Sequence, residues 1–183
     1  SFYKDYNRIY VDLDQIPESL LKATIATEDK DFYRNKGFSP MAYLRVIKDV
    51  LLYHRVTGGS TITQQLVKIS LLSPERTASR KLKELILAIQ VDSRYSKDQI
   101  LEMYLNNISY GGTAIGIEAA SDLYFNKHAK DLTLAQSAFL AGLPQLPTYY
   151  SPYSNSDKTY VGRSQEVLKR MREDGIISRK EAD

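Results

Sequence analysis

Carboxylates in the segment from Ala26 to Tyr33 are the first side chains in this sequence that could do chemistry. On a helix, Glu28 would lie in an apolar stripe, while Asp29 and Asp31 would point elsewhere. A carboxylate held away from water binds its proton more tightly, which makes it a better general base near neutral pH. Glu28 is therefore a candidate general base, although an acidic helix surface with one boundary glutamate explains this segment equally well.

A second group of polar side chains follows the glycine pair Gly58 and Gly59. Glycine permits close backbone approach, and the free N–H groups of a helix N-terminus attract anions. The hydroxyls, amides and cation of this segment are Ser60, Thr61, Gln64, Gln65 and Lys68. An ordinary loop with a helix cap is the alternative interpretation, and the Lys-Ser/Thr ending of a Walker loop is absent.

Basic residues surround Glu84 in a third segment. They are Arg76, Arg80, Lys81 and Lys83. Such a helix face is usually only solvated, but several cations around one carboxylate can also bind a phosphate or pyrophosphate, with a divalent ion on the carboxylate. The opposite face is predicted to be the core stripe of the helix, with Leu82, Leu85, Ile86 and Ile89.

Helix start and stop signals dominate the chain, so the predicted fold is a mainly α single domain. Predicted helices run from Pro17 to about Arg34, from Ser39 to about His54, from Thr61 to Pro74, from Ser73 onward, from Ser96 onward, from Thr133 onward, and to an end near Gly175. Period-2 alternation is confined to Arg8–Asp12, which predicts little strand.

The composition limits the chemistry that is available. The 183 residues include no cysteine, which excludes a thiol nucleophile, a Cys-ligated metal and a disulfide scaffold. Two histidines are too few for a His-rich metal site, and a net charge of +3 is too small to imply a nucleic-acid partner. Any catalysis must rest on carboxylates, hydroxyls, amides and cations.

Five segments, in order and spacing, resemble the motifs of the peptidoglycan glycosyltransferases found in class A penicillin-binding proteins and monofunctional transglycosylases. They are Glu28-Asp29-x-x-Phe32-x-x-x-x-Gly37, Gly59-Ser60-Thr61-x-x-Gln64-Gln65, Arg80-Lys81-x-x-Glu84, Ile100-x-Glu102-x-Tyr104-Leu105-Asn106 and the run from Ala138 to Pro147. The match extends from about Tyr10 to Met171. Asn35 is a departure, because the family usually has His at this position.

The resemblance implies a lysozyme-like bilobal helical domain over residues 1–183, with a head lobe and a small mobile jaw at about residues 38–58. It implies polymerisation of lipid II into β-1,4-linked glycan, with inversion at MurNAc C1 and release of undecaprenyl pyrophosphate. Glu28 and Glu84 would be catalytic, with Mg²⁺ or Mn²⁺ as an option at Glu84. The implied substrate-binding residues are Asp29, Phe32, Ser60, Thr61, Gln64, Gln65, Lys68, Arg76, Arg80, Lys81, Lys83 and Asn106.

The resemblance also implies a place of action and an inhibitor. Residues at about 41–53 would rest on a membrane surface at the outer face of the bacterial cytoplasmic membrane, and moenomycin would inhibit. A membrane anchor before Ser1 and any transpeptidase domain after Asp183 are expected in the full-length protein. A lysozyme-like glycan-cleaving enzyme and an inactive membrane-docking module are the alternatives.

Overall fold

The computed structural model describes residues 9–41, 43–44, 48, 58–72, 77–145, 152 and 159–183. Its α-helices are α1 (Glu18–Glu28), α2 (Ile62–Leu71), α3 (Ala78–Arg94), α4 (Lys97–Asn107), α5 (Ile117–Phe125), α6 (Leu134–Gly142), α7 (Thr159–Glu173) and α8 (Arg179–Ala182), with 3-10 turns at Leu13–Gln15 and Ala129–Asp131. In these ranges, β-pairing is limited to one isolated bridge between Ser109 and Ile115. The prediction of a mainly helical fold is confirmed.

The chain divides into two compact units. A terminal unit combines Ser1–Thr27 with Leu105–Asp183, and a central unit contains Glu28–Tyr104. The central unit holds nearly all of the predicted site residues. The predicted jaw, at about residues 38–58, lies mostly outside the described residues, as does most of the helix expected between Ser39 and His54. Among the described helices, none has the length and apolar character needed to cross a bilayer.

Side-chain caps start several helices at the predicted positions. Thr61 and Gln64 form a reciprocal capping box at the start of α2, and Thr133 and Gln136 form one at α6. The Ser96 N–H donates to Oε1 of Gln99 at 2.9 Å at the start of α4. These caps satisfy N–H groups that the first helical turn leaves without partners, which is why the sequence located them correctly.

Helix α1 is shorter than predicted. It ends at Glu28 instead of continuing to about Arg34. Residues 30–34 form turns, in which the N–H groups of Phe32 and Arg34 donate to the carbonyls of Asp29 and Asp31. The helical periodicity continues past Glu28, but Asp29 leaves the helix because its carboxylate accepts hydrogen bonds from elsewhere in the central unit.

The predicted core stripe of α3 is wrong. Leu82, Ile86 and Ile89 are 58%, 48% and 41% exposed, whereas Glu84 and Ala88 are buried. The predicted start at Ser73 lies outside the described residues. The described helix begins at Ala78, where Thr77 accepts a hydrogen bond from the Arg80 N–H and caps it. The pattern identified an apolar face correctly but placed it inside, because the sequence does not show that ion pairs keep Glu84 in the interior.

One cluster in the core of the terminal unit is rich in alanine. The side chains that pack together in it are Ala23, Ala26, Ala138, Ala141, Val167 and Met171, from α1, α6 and α7. Arginines of α7 cap the C-terminal ends of the other two helices: Arg163 Nε donates to the Gly142 carbonyl at 3.2 Å, and Arg170 Nη1 to the Thr27 carbonyl at 2.9 Å. Cations are favourable at these ends because helix dipoles point their negative poles there.

Glu166 forms ion pairs with both arginines, and these pairs should make part of the stability depend on pH. Burial alone would raise the pKa of Glu166, but the hydrogen bonds and charges of Arg163 and Arg170 outweigh it and hold the pKa below its usual range. A depressed pKa contributes stability above the unfolded-state value, and this contribution is lost as the pH falls. We expect Glu166→Gln to destabilise the protein at neutral pH, with the difference from wild type shrinking as the pH falls below about 4.5.

Urea unfolding at a series of pH values measures this difference. Glu173→Gln is the matched control, because Glu173 is an exposed residue of the same helix and lies 3.8 Å from Lys169. Exposed ion pairs contribute little, so the control should stay close to wild type at every pH. A Glu166→Gln difference that does not depend on pH would contradict the prediction.

Candidate active site

The start of α2 connects three parts of the central unit. Ser60 binds Lys81 and Thr61 binds Gly37, while Ile62 and Gln65 bind the adjacent carboxylates Asp29 and Glu28. All four lie within six consecutive positions. The sequence predicted this segment as a binding element because of its glycines and polar side chains. The structure shows that this segment also reaches both predicted glutamates. Gln65 binds Glu28, and Ser60 binds Lys81, which pairs with Glu84.

Glu28, the predicted base, is the last residue of α1 and is half-buried. Gln65 Nε2 donates to Glu28 Oε2 at 2.9 Å, and Tyr104 OH donates to Gln65 Oε1 at 3.1 Å. Gln65, predicted to bind substrate, therefore contacts the predicted base directly. Tyr104 lies in the fourth motif, but the sequence pattern does not indicate its partner.

Asp29 is more deeply buried than Glu28, the reverse of the prediction from helical periodicity. It is 8% exposed, and its Oδ2 accepts from the Ile62 N–H at 3.1 Å. Asn35 Nδ2 donates to both carboxylate oxygens at 3.0 Å. Burial raises the pKa of Asp29, opposed by the hydrogen bonds from Ile62 and Asn35 and by the charge of Lys97. Asp29 thus fastens the beginning of α2 to the turn that follows α1.

Asn35, the departure from the family pattern, connects this carboxylate to its surroundings. Its Oδ1 accepts from Lys97 Nζ and from the Gly37 N–H, both at 3.2 Å. Gly37 has a φ of +82°, and a Cβ there would lie 2.5 Å from the carbonyl oxygen of Ala88, so a side chain would be excluded. The position that contacts Asp29, Lys97 and Gly37 is therefore occupied by an amide, which does not titrate.

The predicted binding residues Thr61 and Gln64 are buried within the same network. Thr61 Oγ1 donates to the Gly37 carbonyl at 2.7 Å, and Gln64 Nε2 donates to Tyr43 OH at 3.0 Å. Tyr43 is a further residue that sequence reasoning missed, because nothing in its segment indicates Gln64 as its partner. These contacts hold the start of α2, and direct contact of Thr61 or Gln64 with substrate stays a prediction.

Two other predicted substrate residues lie in the interior. Phe32 is fully buried, with Lys97 Nζ 4.9 Å from its ring centroid. Asn106, in the terminal unit, is 5% exposed, and its amide accepts from the Val11 N–H and donates to the Val11 carbonyl, both at 2.9 Å. The structure thus gives Asn106 the role of holding the N-terminal segment, and substrate contacts of both residues stay predictions.

Glu84 is the centre of a compact cluster of cations. Its side chain is 2% exposed, contacts Lys81 Nζ, and has Oε2 3.9 Å from Arg80 Nη2. Lys81 Nζ also donates to Ser60 Oγ at 3.0 Å. The Arg80 side chain is 13% exposed, and its Nε and Nη1 have no hydrogen-bond acceptor within the described part of the chain. Buried donors of this kind favour an anionic partner.

Comparison with known proteins identifies the family to which this site belongs. The family model described as Transglycosylase matches residues 1–172. The chain belongs to the transglycosylase family. Penicillin-binding protein 1A of Escherichia coli (strain K12) is 44% identical over 182 residues, which is 99% of this chain and 21% of that protein. Penicillin-binding protein 1F of Bacillus subtilis (strain 168) is 45% identical over 177 residues, 96% of this chain and 25% of that protein.

A solved structure agrees with this assignment. The crystal structure of penicillin-binding protein 1A from Haemophilus influenzae matches with a TM-score of 0.57 and 27% identity, over 96% of this chain and 17% of that one. The transglycosylase chain spans about a fifth to a quarter of the length of its curated relatives.

The remaining cations of the predicted site are less well placed. Lys68 and Lys83 are exposed, on α2 and α3. Arg76 lies outside the described residues of this transglycosylase. The cluster that the structure supports therefore consists of Arg80, Lys81 and Glu84 with Ser60.

The predicted Mg²⁺ or Mn²⁺ at Glu84 can be compared with the donors around it. Magnesium prefers several oxygen ligands, and proteins usually supply one or two carboxylates together with substrate phosphates. No group of three His, Cys, Asp or Glu side chains able to hold a metal occurs among the described residues. Glu84 is a single carboxylate that already contacts Lys81 and Arg80. This set does not fit a resident divalent cation.

Proposed function

We propose that this chain is a peptidoglycan glycosyltransferase that polymerises lipid II into β-1,4-linked glycan. The observation that carries the proposal is the cluster of Arg80, Lys81 and Glu84, in which a largely buried arginine keeps two donor nitrogens without an acceptor in the described structure. Such donors suit a pyrophosphate leaving group. An enzyme that only cuts finished glycan has no such group to bind.

The reaction needs one base and one site for developing negative charge. The 4-hydroxyl of the incoming GlcNAc attacks C1 of the MurNAc unit, the bond from C1 to the pyrophosphate oxygen breaks, and the configuration changes from α to β. Glu28 accepts the proton of the attacking hydroxyl because a neutral hydroxyl is a weak nucleophile. The bonding electrons leave with the pyrophosphate, whose charge Arg80 and Lys81 stabilise.

Glu84 acts in this scheme by holding the two cations. Its carboxylate contacts Lys81 Nζ and lies near Arg80 Nη2, and Lys81 also reaches Ser60 Oγ. Cations that are already fixed in place need little reorganisation as charge develops in the transition state. Glu84 would thus be a positioning residue, rather than an acid that protonates the leaving group.

A membrane surface at the outer face of the cytoplasmic membrane is part of the proposal. Within the segment 41–53, the described residues Met41 and Leu44 are 71% and 59% exposed, and Lys48 is also exposed. Exposed apolar side chains beside a cation suit a bilayer interface. A lipid-linked substrate and its enzyme would then share one surface.

Incubation with two substrates tests the proposed function. Labelled lipid II should yield glycan polymer, and moenomycin should block its formation. Purified cell-wall sacculi should release no soluble fragments. Release from sacculi without polymer from lipid II would overturn the proposal in favour of a lysozyme-like hydrolase. Vesicle binding with neither activity would favour an inactive docking module.

A further inference from the structure

Tyr104 lies at the end of a short chain of hydrogen bonds that reaches Glu28. Its side chain, on α4, is fully buried. The hydroxyl donates to Gln65 Oε1 at 3.1 Å, and Gln65 Nε2 donates to Glu28 Oε2 at 2.9 Å. Two hydrogen bonds therefore connect the Tyr104 hydroxyl to the Glu28 carboxylate through the amide of Gln65.

The direction of each hydrogen bond is fixed by the chemistry of the groups. An ionised carboxylate only accepts, and an amide offers donors on its nitrogen and acceptors on its oxygen. Gln65 must therefore turn Nε2 toward Glu28, which leaves Oε1 facing Tyr104. The tyrosine hydroxyl donates to that oxygen. If the amide turned over, its oxygen would face a carboxylate oxygen and the two would repel.

We propose that Tyr104 is a positioning residue for Glu28. By donating to Gln65 Oε1, it supports the amide orientation that the carboxylate requires and holds Nε2 against Glu28. This contact restricts Glu28 to one arrangement and favours its ionised form, the form that can accept a proton. The inference rests on the proposed function, in which Glu28 is the general base. The charged residues nearest in sequence to Glu28, Gln65 and Tyr104 are Asp29, Lys68 and Glu102 respectively, and all three are unchanged in the test.

Tyr104→Phe is the decisive variant because it removes the hydroxyl and retains the buried ring. We expect the plateau value of kcat for lipid II polymerisation to fall about threefold to tenfold, the effect of losing one hydrogen bond. KM should remain within about twofold, because Tyr104 does not contact substrate in this scheme. The acid limb of the pH–rate profile should move to higher pH, since the carboxylate form of Glu28 loses support.

Tyr124→Phe is the matched control. Tyr124 belongs to the terminal unit, and its hydroxyl donates to the Tyr110 carbonyl at 2.8 Å. Both variants lose one tyrosine hydroxyl and one hydrogen bond, so their unfolding free energies should fall by similar amounts. The control should leave the pH–rate profile in place. Equal profiles and equal kcat values for the two variants would overturn the proposal.

NMR titration of glutamate labelled with ¹³C in the side chain gives a measurement that does not require polymerisation. The Glu28 signal is assigned by its disappearance in Glu28→Gln. Its titration midpoint should be higher in Tyr104→Phe and in Gln65→Leu than in wild type, and the double variant should show no further shift. An unchanged midpoint in Tyr104→Phe would overturn the inference. A shifted midpoint in a chain that makes no polymer would support the positioning and reject the proposed function.

Discussion

Glu28→Gln should lower the rate of lipid II polymerisation about 10²- to 10⁴-fold, the usual cost of losing a general base. Glutamine has nearly the shape of glutamate, and its amide oxygen can still accept the hydrogen bond that Gln65 Nε2 gives to Glu28. The local geometry is therefore retained while the proton acceptor is removed. Initial rates with labelled lipid II, together with circular dichroism to confirm folding, measure the effect.

Glu18→Gln provides a control on the same helix. Glu18 is at the first position of α1, is exposed, and pairs with Lys22 at 2.7 Å. An exposed pair of this kind contributes little to stability, and Glu18 has no place in the proposed reaction. The control should polymerise within about twofold of wild type. If Glu28→Gln polymerises as fast as this control, Glu28 is not the base.

Local signals in the sequence were sufficient for much of the helical structure. The start of α2 follows from Thr61 and Gln64, and the start of α6 from Thr133 and Gln136, because a capping box involves only residues three positions apart. Such interactions do not depend on the rest of the fold. A helix end that depends on distant partners is different, as Asp29 shows: its carboxylate binds the N–H of Ile62, far along the chain.

The burial of individual side chains was harder to predict, and the two acidic positions in the site show why. Periodicity placed Glu28 inside and Asp29 outside, yet Asp29 is the more buried of the two. On α3, the same method placed Leu82 and Ile86 in the core, although the interior position belongs to Glu84. Hydrophobic patterns assume that charged groups face water, and this assumption fails where hydrogen bonds and ion pairs compensate a buried charge.

The motif resemblance located the residues of the site but not their connections. It identified Glu28, Gln65 and Glu84 as members of one candidate site, and the family match confirms the resemblance itself. It did not indicate that Gln65 binds Glu28, or that Tyr104 binds Gln65. Such pairings are contacts between residues far apart in the chain, and one sequence alone offers no evidence for them.

Glu84→Gln should lower both stability and activity, and the two effects can be separated. The substitution retains a polar side chain of similar size but removes the negative charge beside Arg80 and Lys81. Loss of hydrogen bonds to a charged group costs about 1.5–3 kcal/mol, which urea unfolding would detect. Because the cations would no longer be held in place for the pyrophosphate, we also expect polymerisation to fall about 10- to 100-fold, somewhat less than for the removal of a direct donor.

Glu118→Gln separates the general cost of a buried carboxylate from the specific role of Glu84. Glu118 is 6% exposed, lies in the terminal unit, and its Oε2 accepts from the Ala129 N–H at 2.9 Å. Its replacement should destabilise the protein by a comparable amount without slowing polymerisation at a temperature where both variants are folded. If Glu84→Gln slows polymerisation no more than Glu118→Gln, the cation cluster does not stabilise the leaving group, and the buried donors of Arg80 serve another anion.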